Sequence, residues 1–173
     1  QKYLTECAPV LTSLNLLEIT RAQSLHDPLT GIHNRRFLND SMHQYEEIAK
    51  RAGTRVGFLM VDVDFFKEVN DQHGHAAGDR VLAFVGEVLR RHLREGDLAV
   101  RMGGEEFAVL LHGMHPSAAQ AVAERLRRDL ERLAAQGAGL PITASLGVAL
   151  ATPGIDFAAL WSQADGALYR AKT

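Results

Sequence analysis

Leu98-Ala99-Val100-Arg101-Met102-Gly103-Gly104-Glu105-Glu106-Phe107-Ala108-Val109-Leu110-Leu111 reads as two short apolar segments joined through a glycine pair and two carboxylates. Leu98 to Met102 and Phe107 to Leu111 predict strands, and Gly103-Gly104 supplies a backbone free enough for a hairpin turn. On the N-terminal side, Gly78 to Leu93 sets Val81, Val85 and Val88, together with Leu82, Leu89 and Leu93, at helical spacings. Val56 to Phe66 is an apolar run interrupted only by Gly57, Asp62 and Asp64, which suits a central strand covered on both faces. Asn34 to Ala52 places Leu38, Met42, Tyr45 and Ala49 on one helical face, with Gly53 as a stop. On the C-terminal side, Pro116-Ser117 followed by Gln120 resembles a capping box, and Val122, Leu126, Leu130 and Leu133 form one stripe of a long helix. Ile142 to Leu150 predicts a strand, and Asp156 to Lys172 a last helix carrying Leu160, Ala164, Leu168 and Ala171.

The order is therefore α-β-α-β-β-α-β-α, an α/β (α+β) pattern. It points to a central mixed, largely antiparallel sheet flanked by helices, of the ferredoxin-like or polymerase-palm kind. One domain is expected over residues 25–173, preceded by a linker helix over residues 1–24. In that helix Leu4, Cys7, Leu11 and Leu14 fall at coiled-coil spacing, although Pro9 interrupts an early turn. Spacing alone serves equally a helix packed on its own domain.

With 173 residues, 46% of them hydrophobic and 23% charged, the chain has the bulk for one well-cored soluble unit. No apolar run is long enough to span a bilayer, and the start lacks the layout of a signal peptide. The chain begins without Met and stops inside a helical pattern, so a fragment is expected whose upstream part holds a sensor or membrane segment. A lone cysteine, Cys7, offers no internal disulfide and fits a reducing cytoplasm, including the cytoplasmic part of a membrane-anchored protein. A net charge of −2 removes the broad electrostatic argument for nucleic acid or an anionic membrane as partner.

The carboxylates carry the chemistry. Asp62 and Asp64 lie two apart at the carboxyl end of a predicted strand, so they share one face. Glu105 and Glu106 sit at a glycine turn where a ligand can approach closely. If the two strands are neighbours, these acids converge. Mg²⁺ is held by one or two carboxylates plus substrate phosphates, so the set describes a metal-nucleotide site rather than a zinc site. Taken singly, each acid reads as an ordinary strand-end residue. His73 and His75 form a His-x-His pair, but Ala76-Ala77-Gly78 adds no further ligand and the chelating reading is set aside. Arg35 and Arg36 open a helix and receive no catalytic role.

Several segments in order resemble the GGDEF family of diguanylate cyclases, in the Gly-Gly-Glu-Glu-Phe variant. They are Asp27-Pro28-Leu29-Thr30-Gly31 with Asn34-Arg35-Arg36, Val61-Asp62-Val63-Asp64-Phe65-Phe66-Lys67, Asn70-Asp71, Gly74-His75, Gly78-Asp79 and Arg101 through Phe107. Ser145-Leu146-Gly147-Val148-Ala149 and Ala164 through Lys172 complete the set. The resemblance implies a homodimeric enzyme that condenses two GTP molecules into cyclic di-GMP and two pyrophosphates. Mg²⁺, or Mn²⁺ in its place, would be present at two ions per GTP. Asp62, Glu105 and the Val63 carbonyl would hold metal, with Glu106 adjoining, and Glu105 would assist deprotonation of the attacking hydroxyl. Main-chain N–H groups around Phe65, Phe66 and Lys67 would hold the β- and γ-phosphates. Asn70 and Asp79 would read guanine, and Lys172 would contact phosphate. The family's next phosphate-binding arginine falls beyond Thr173. Arg94 and Asp97 match an Arg-x-x-Asp site at which cyclic di-GMP inhibits, with Arg125 as a secondary contact. The rival readings are a silent receptor for GTP or cyclic di-GMP, another palm-fold nucleotidyl transferase, and a purely structural dimerisation module.

Overall fold

The computed structural model describes residues 25–151 and 156–173. Residues 1–24, and with them the expected linker helix, lie outside the described residues.

A two-residue strand β1 (His33–Asn34) leads into α1 (Arg35–Ala52). Asn34 caps that helix by accepting the Phe37 N–H at 3.0 Å, and Gly53 ends it with a left-handed φ of 60°. β2 (Val56–Val63) is buried at every position. Two helices follow, α2 (Phe66–His73) and α3 (His75–His92), and then the hairpin β3 (Leu98–Gly103) and β4 (Glu106–His112). α4 (Pro116–Gly137), β5 (Ala144–Ala151) and α5 (Phe157–Lys172) complete the described chain.

The five strands stand in the order β1-β3-β4-β2-β5. β1 runs parallel to β3, and all other neighbours are antiparallel. The β2 to β5 portion is the split β-α-β-β-α-β arrangement expected from the element order, with β1 added at one edge. Alternation along the strands makes two cores. Leu59, Val61, Val63, Phe107 and Val109 pack with Val81, Val85 and Leu89 of α3 and Leu126 and Leu130 of α4. Phe58, Met60, Ala108 and Leu110 pack with Leu38 of α1 and with Leu160, Ala164 and Leu168 of α5. α5 comes unusually close to the sheet at Gly147, where a Cβ would stand 2.2 Å from the Ala164 carbonyl oxygen. That approach carries the end of α5 toward the end of β2.

Four local expectations are corrected. The apolar run ends as a strand at Val63, because Phe65 adopts a left-handed φ of 56° and Phe66 starts an eight-residue helix. Asp64 therefore lies past the strand. α3 begins at His75 rather than Gly78. No capping box opens α4: His115 is its cap residue without a side-chain bond, and the Ser117 hydroxyl lies 3.0 Å from His115 Nδ1. The strand expected from Ile142 begins at Ala144, although Ile142 is buried in the core. Among the described residues no helix is long and apolar enough to cross a membrane.

Candidate active site

Asp62 stands one residue from the end of β2, opposite Glu106 of β4 and Ser145 of β5 in the ladder registers. Directly opposed residues of antiparallel strands project to one face, so Asp62 and Glu106 share the α5 side of the sheet. Asp62 is 6% exposed. Its Oδ1 meets the Lys172 ammonium at 2.6 Å and has no other partner among the described residues. Burial pushes the Asp62 carboxyl above the usual range; Lys172 partly opposes this, and the charges of Glu105 and Asp64 reinforce it. A buried, charge-crowded carboxylate is suited to a stronger cation than one ammonium.

Glu105 occupies the β3–β4 turn, half-buried, while Glu106 is exposed at the start of β4. Gly103 and Gly104 have φ of 146° and 52°, conformations that favour glycine, and the ladder shifts register between Arg101 and Gly103. The Val63 N–H donates to the Glu105 carbonyl at 3.3 Å, tying the turn to the end of β2. Asp64 is turned instead toward β5, accepting from the hydroxyls of Thr143 and Ser145 at 2.7 Å each. Of the two expected strand carboxylates, only Asp62 belongs to the buried site.

The turn is also clamped from behind. Arg101 donates to the Gly104 carbonyl at 2.9 and 3.2 Å and to the two carboxylate oxygens of Asp27 at 3.0 and 3.1 Å. Asp27 further accepts from the Thr30 amide at 2.9 Å and its hydroxyl at 2.7 Å. Burial pushes the Asp27 carboxyl up, but the Thr30 bonds and the Arg101 guanidinium outweigh it and hold the group below its ordinary value. Sequence reasoning gave this clamp no role. Its only local signal was the Asp-x-x-Thr spacing of an Asx turn, since the partner Arg101 is 74 residues away.

Phe65 is 72% exposed, and its left-handed backbone aims the chain into α2. The first amides of a helix have no intrahelical acceptor, so Phe66 and Lys67 offer N–H groups suited to phosphate next to the end of β2. Asn70 lies on α2 against Gly78 of α3, and Asp79 is the exposed next residue of α3. A cleft of about 520 Å³ beside α2 is lined by Asp64, Phe65, Glu68, Gln72 and Thr143, and not by Asp62, Glu105, Asn70 or Asp79. Glu106 and Asp79 are exposed, Glu105 and Asn70 half-buried, and Asp62 buried.

Among the described residues no three His, Cys, Asp or Glu side chains form a ready-made metal cage. Asp62 with Glu105 nearby and a backbone carbonyl still fit a hard divalent cation, which completes its shell with water and phosphate oxygens.

Arg94 and Asp97 flank the turn between α3 and β3. The Arg94 amide donates to Asp97 Oδ2 at 3.3 Å, its Nε lies 3.5 Å from Oδ1, and its Nη2 donates to the His112 carbonyl. Asp97 also accepts the His112 N–H at 3.1 Å. Arg125 of α4 donates to the His92 carbonyl at 3.2 Å, two residues from Arg94, so the three residues gather at the end of α3. A cleft of about 360 Å³ there is bordered by Arg90, Arg94, Asp97, His26 and His33.

Residues 24–173 match the family model described as diguanylate cyclase, GGDEF domain. The chain is 39% identical over 158 residues to diguanylate cyclase DgcP of Pseudomonas aeruginosa, covering 90% of this chain and 24% of that protein. It is 41% identical over 120 residues to diguanylate cyclase A of Treponema denticola, covering 68% of this chain and 32% of that one. It therefore spans only a quarter to a third of the length of these curated relatives. The solved structure of the coiled coil and GGDEF domain of DgcB from Caulobacter crescentus, in complex with c-di-GMP, matches with a TM-score of 0.90 at 29% identity. The match covers 99% of this chain and 92% of that chain. With its fold, its turn and its carboxylates in these positions, the chain belongs to the GGDEF family of diguanylate cyclase domains.

Proposed function

We propose that this domain condenses two GTP molecules into cyclic di-GMP, each protomer of a homodimer presenting one GTP. The observation that carries this reading is the meeting of buried Asp62 and the Glu105 turn at the end of β2, beside the amides that open α2. Asp62, Glu105 and the Val63 carbonyl would hold Mg²⁺ or Mn²⁺, two ions per GTP, with Glu106 beside them. When bound, the metal neutralises phosphate charge and lowers the pKa of the attacking 3′-hydroxyl. The amides of Phe65, Phe66 and Lys67 bind the β- and γ-phosphates, and Asn70 and Asp79 select guanine through its amide-like edge. Glu105 stands at the turn as proton acceptor for the hydroxyl of the facing GTP. Lys172 leaves Asp62 for the incoming triphosphate, whose charge exceeds that of one carboxylate.

One such open half-site cannot place a hydroxyl in line with its own α-phosphate, so a second copy must face it across a two-fold axis. The heptad-like spacing of residues 1–24 suits a parallel helix pair that sets this distance, and the DgcB structure contains a coiled coil beside its GGDEF domain. The gathering of Arg94, Asp97 and Arg125 supports a product-inhibition site, where guanidinium groups would meet phosphate and guanine edges.

The dimeric protein supplied with GTP and Mg²⁺ is expected to yield cyclic di-GMP and pyrophosphate by chromatography. Glu105→Ala should abolish the product and keep the circular dichroism of the folded chain. Tight cyclic di-GMP binding with no turnover in the unsubstituted protein would establish the receptor reading instead.

A further inference from the structure

Gly78 occupies the fourth position of α3, and its backbone is helical rather than left-handed. Glycine is a poor helix former, and no conformational need explains it here. What it provides is space. An alanine Cβ at this position would lie 2.1 Å from Asn70 Oδ1, 3.0 Å from Asn70 Cγ and 3.1 Å from Phe66 Cζ. Phe66 and Asn70 are four residues apart on α2 and so share the face that meets α3. Gly74, between the two helices, has open space where its Cβ would be, so the close approach is specific to the Gly78 contact.

We infer that Gly78 is the positioning residue for base selection: its missing side chain is the seat that holds the Asn70 amide beside Asp79 for guanine. The inference rests on the proposed reading of Asn70 as the base-reading residue and adds what fixes its direction. A carboxamide can satisfy guanine in only one orientation, and an amide displaced by an ångström loses hydrogen bonds that adenine never made. Gly78→Ala should therefore act on discrimination between bases, beyond any general loss of nucleotide affinity. Asn70→Ala removes the clashing atoms, leaving only the Phe66 ring edge, which a few tenths of an ångström of movement accommodates.

The test is calorimetric binding of non-hydrolysable GTP and ATP analogues with Mg²⁺ to the full dimeric protein, alongside thermal melting. The unsubstituted protein, Gly78→Ala, Asn70→Ala and the double variant are compared. The unsubstituted protein should prefer the GTP analogue; no preference would defeat the underlying reading of Asn70 rather than the inference about Gly78. Given that preference, Gly78→Ala should reduce it by about tenfold, as expected for one or two lost hydrogen bonds. Gly78→Ala should also lower the melting temperature when Asn70 is intact, but barely when it is combined with Asn70→Ala. An undiminished preference in Gly78→Ala, or equal melting losses with and without Asn70→Ala, would overturn the inference.

Discussion

Asp62 shows how a single side chain trades stability for chemistry. Its pKa is raised in the fold mainly by burial, so folding shifts its proton equilibrium toward the protonated form relative to the unfolded chain. The stability linked to this group is fully present below its unfolded pKa and is lost as pH rises through the higher folded value, leaving the neutral-pH carboxylate as a burden. Asp62→Asn should therefore raise the melting temperature of the metal-free protein, by about 2–4 °C for each ~1 kcal/mol relieved, while abolishing turnover. Scanning calorimetry of metal-free protein checks this, and a lowered melting temperature would show that the Lys172 pair outweighs the cost of burial. Arg94 belongs to the same scale. Arg94→Ala should relieve inhibition by added cyclic di-GMP while preserving the initial rate, and an unchanged inhibition curve would remove the proposed inhibitory site.

The hairpin is the element on which the site turns, and its tip is held by contacts outside itself. Arg101 joins the Gly104 carbonyl to Asp27, which is fixed in turn by Thr30. Both side chains of the Asp27–Arg101 pair are mostly shielded, at 17% and 16% exposure, so the pair is worth more than a surface ion pair. Arg101→Ala leaves a shielded carboxylate without its charged partner and frees the turn, with an expected loss of about 2 kcal/mol in urea unfolding. Catalytic rate should fall further than stability, because Glu105 is carried by the loosened turn. Asp27 has a lowered folded pKa, so its contribution is present above the unfolded value and is lost as pH falls through the folded one. Arg101→Ala should accordingly flatten the fall of stability in acid below about pH 4. An acid limb with the slope of the parent protein would contradict this assignment.

At the scale of the whole molecule, the split β-α-β-β-α-β topology brings the ends of β2, the β3–β4 turn and the start of α2 to one end of the sheet, and α5 reaches the same place. β2 lies between β4 and β5, so Asp62 is covered on both sides by strands while Glu105 and Glu106 remain at the rim. This geometry keeps the buried Asp62 carboxylate beside groups that are open to solvent. Such an arrangement suits the proposed reaction between two bound nucleotides.

Periodicity and turn chemistry determined much of this protein. The long helices, the central strand and the Gly103-Gly104 hairpin are local patterns, and motif order singled out Asp62, Glu105, Asn70 and Asp79. α2 escaped because Phe65 and Phe66 extend an apolar run, and nothing local announces that Phe65 turns left-handed. Only tertiary structure bonded Asp64 to Thr143 and Ser145, paired Lys172 with Asp62, linked Arg101 to Asp27 and set Asn70 against Gly78. The Lys172, Arg101 and Asp64 contacts join residues far apart in the chain, and the Asn70 contact depends on how α2 folds back on α3. Sequence spacing records the face on which a residue lies; packing decides what that face meets.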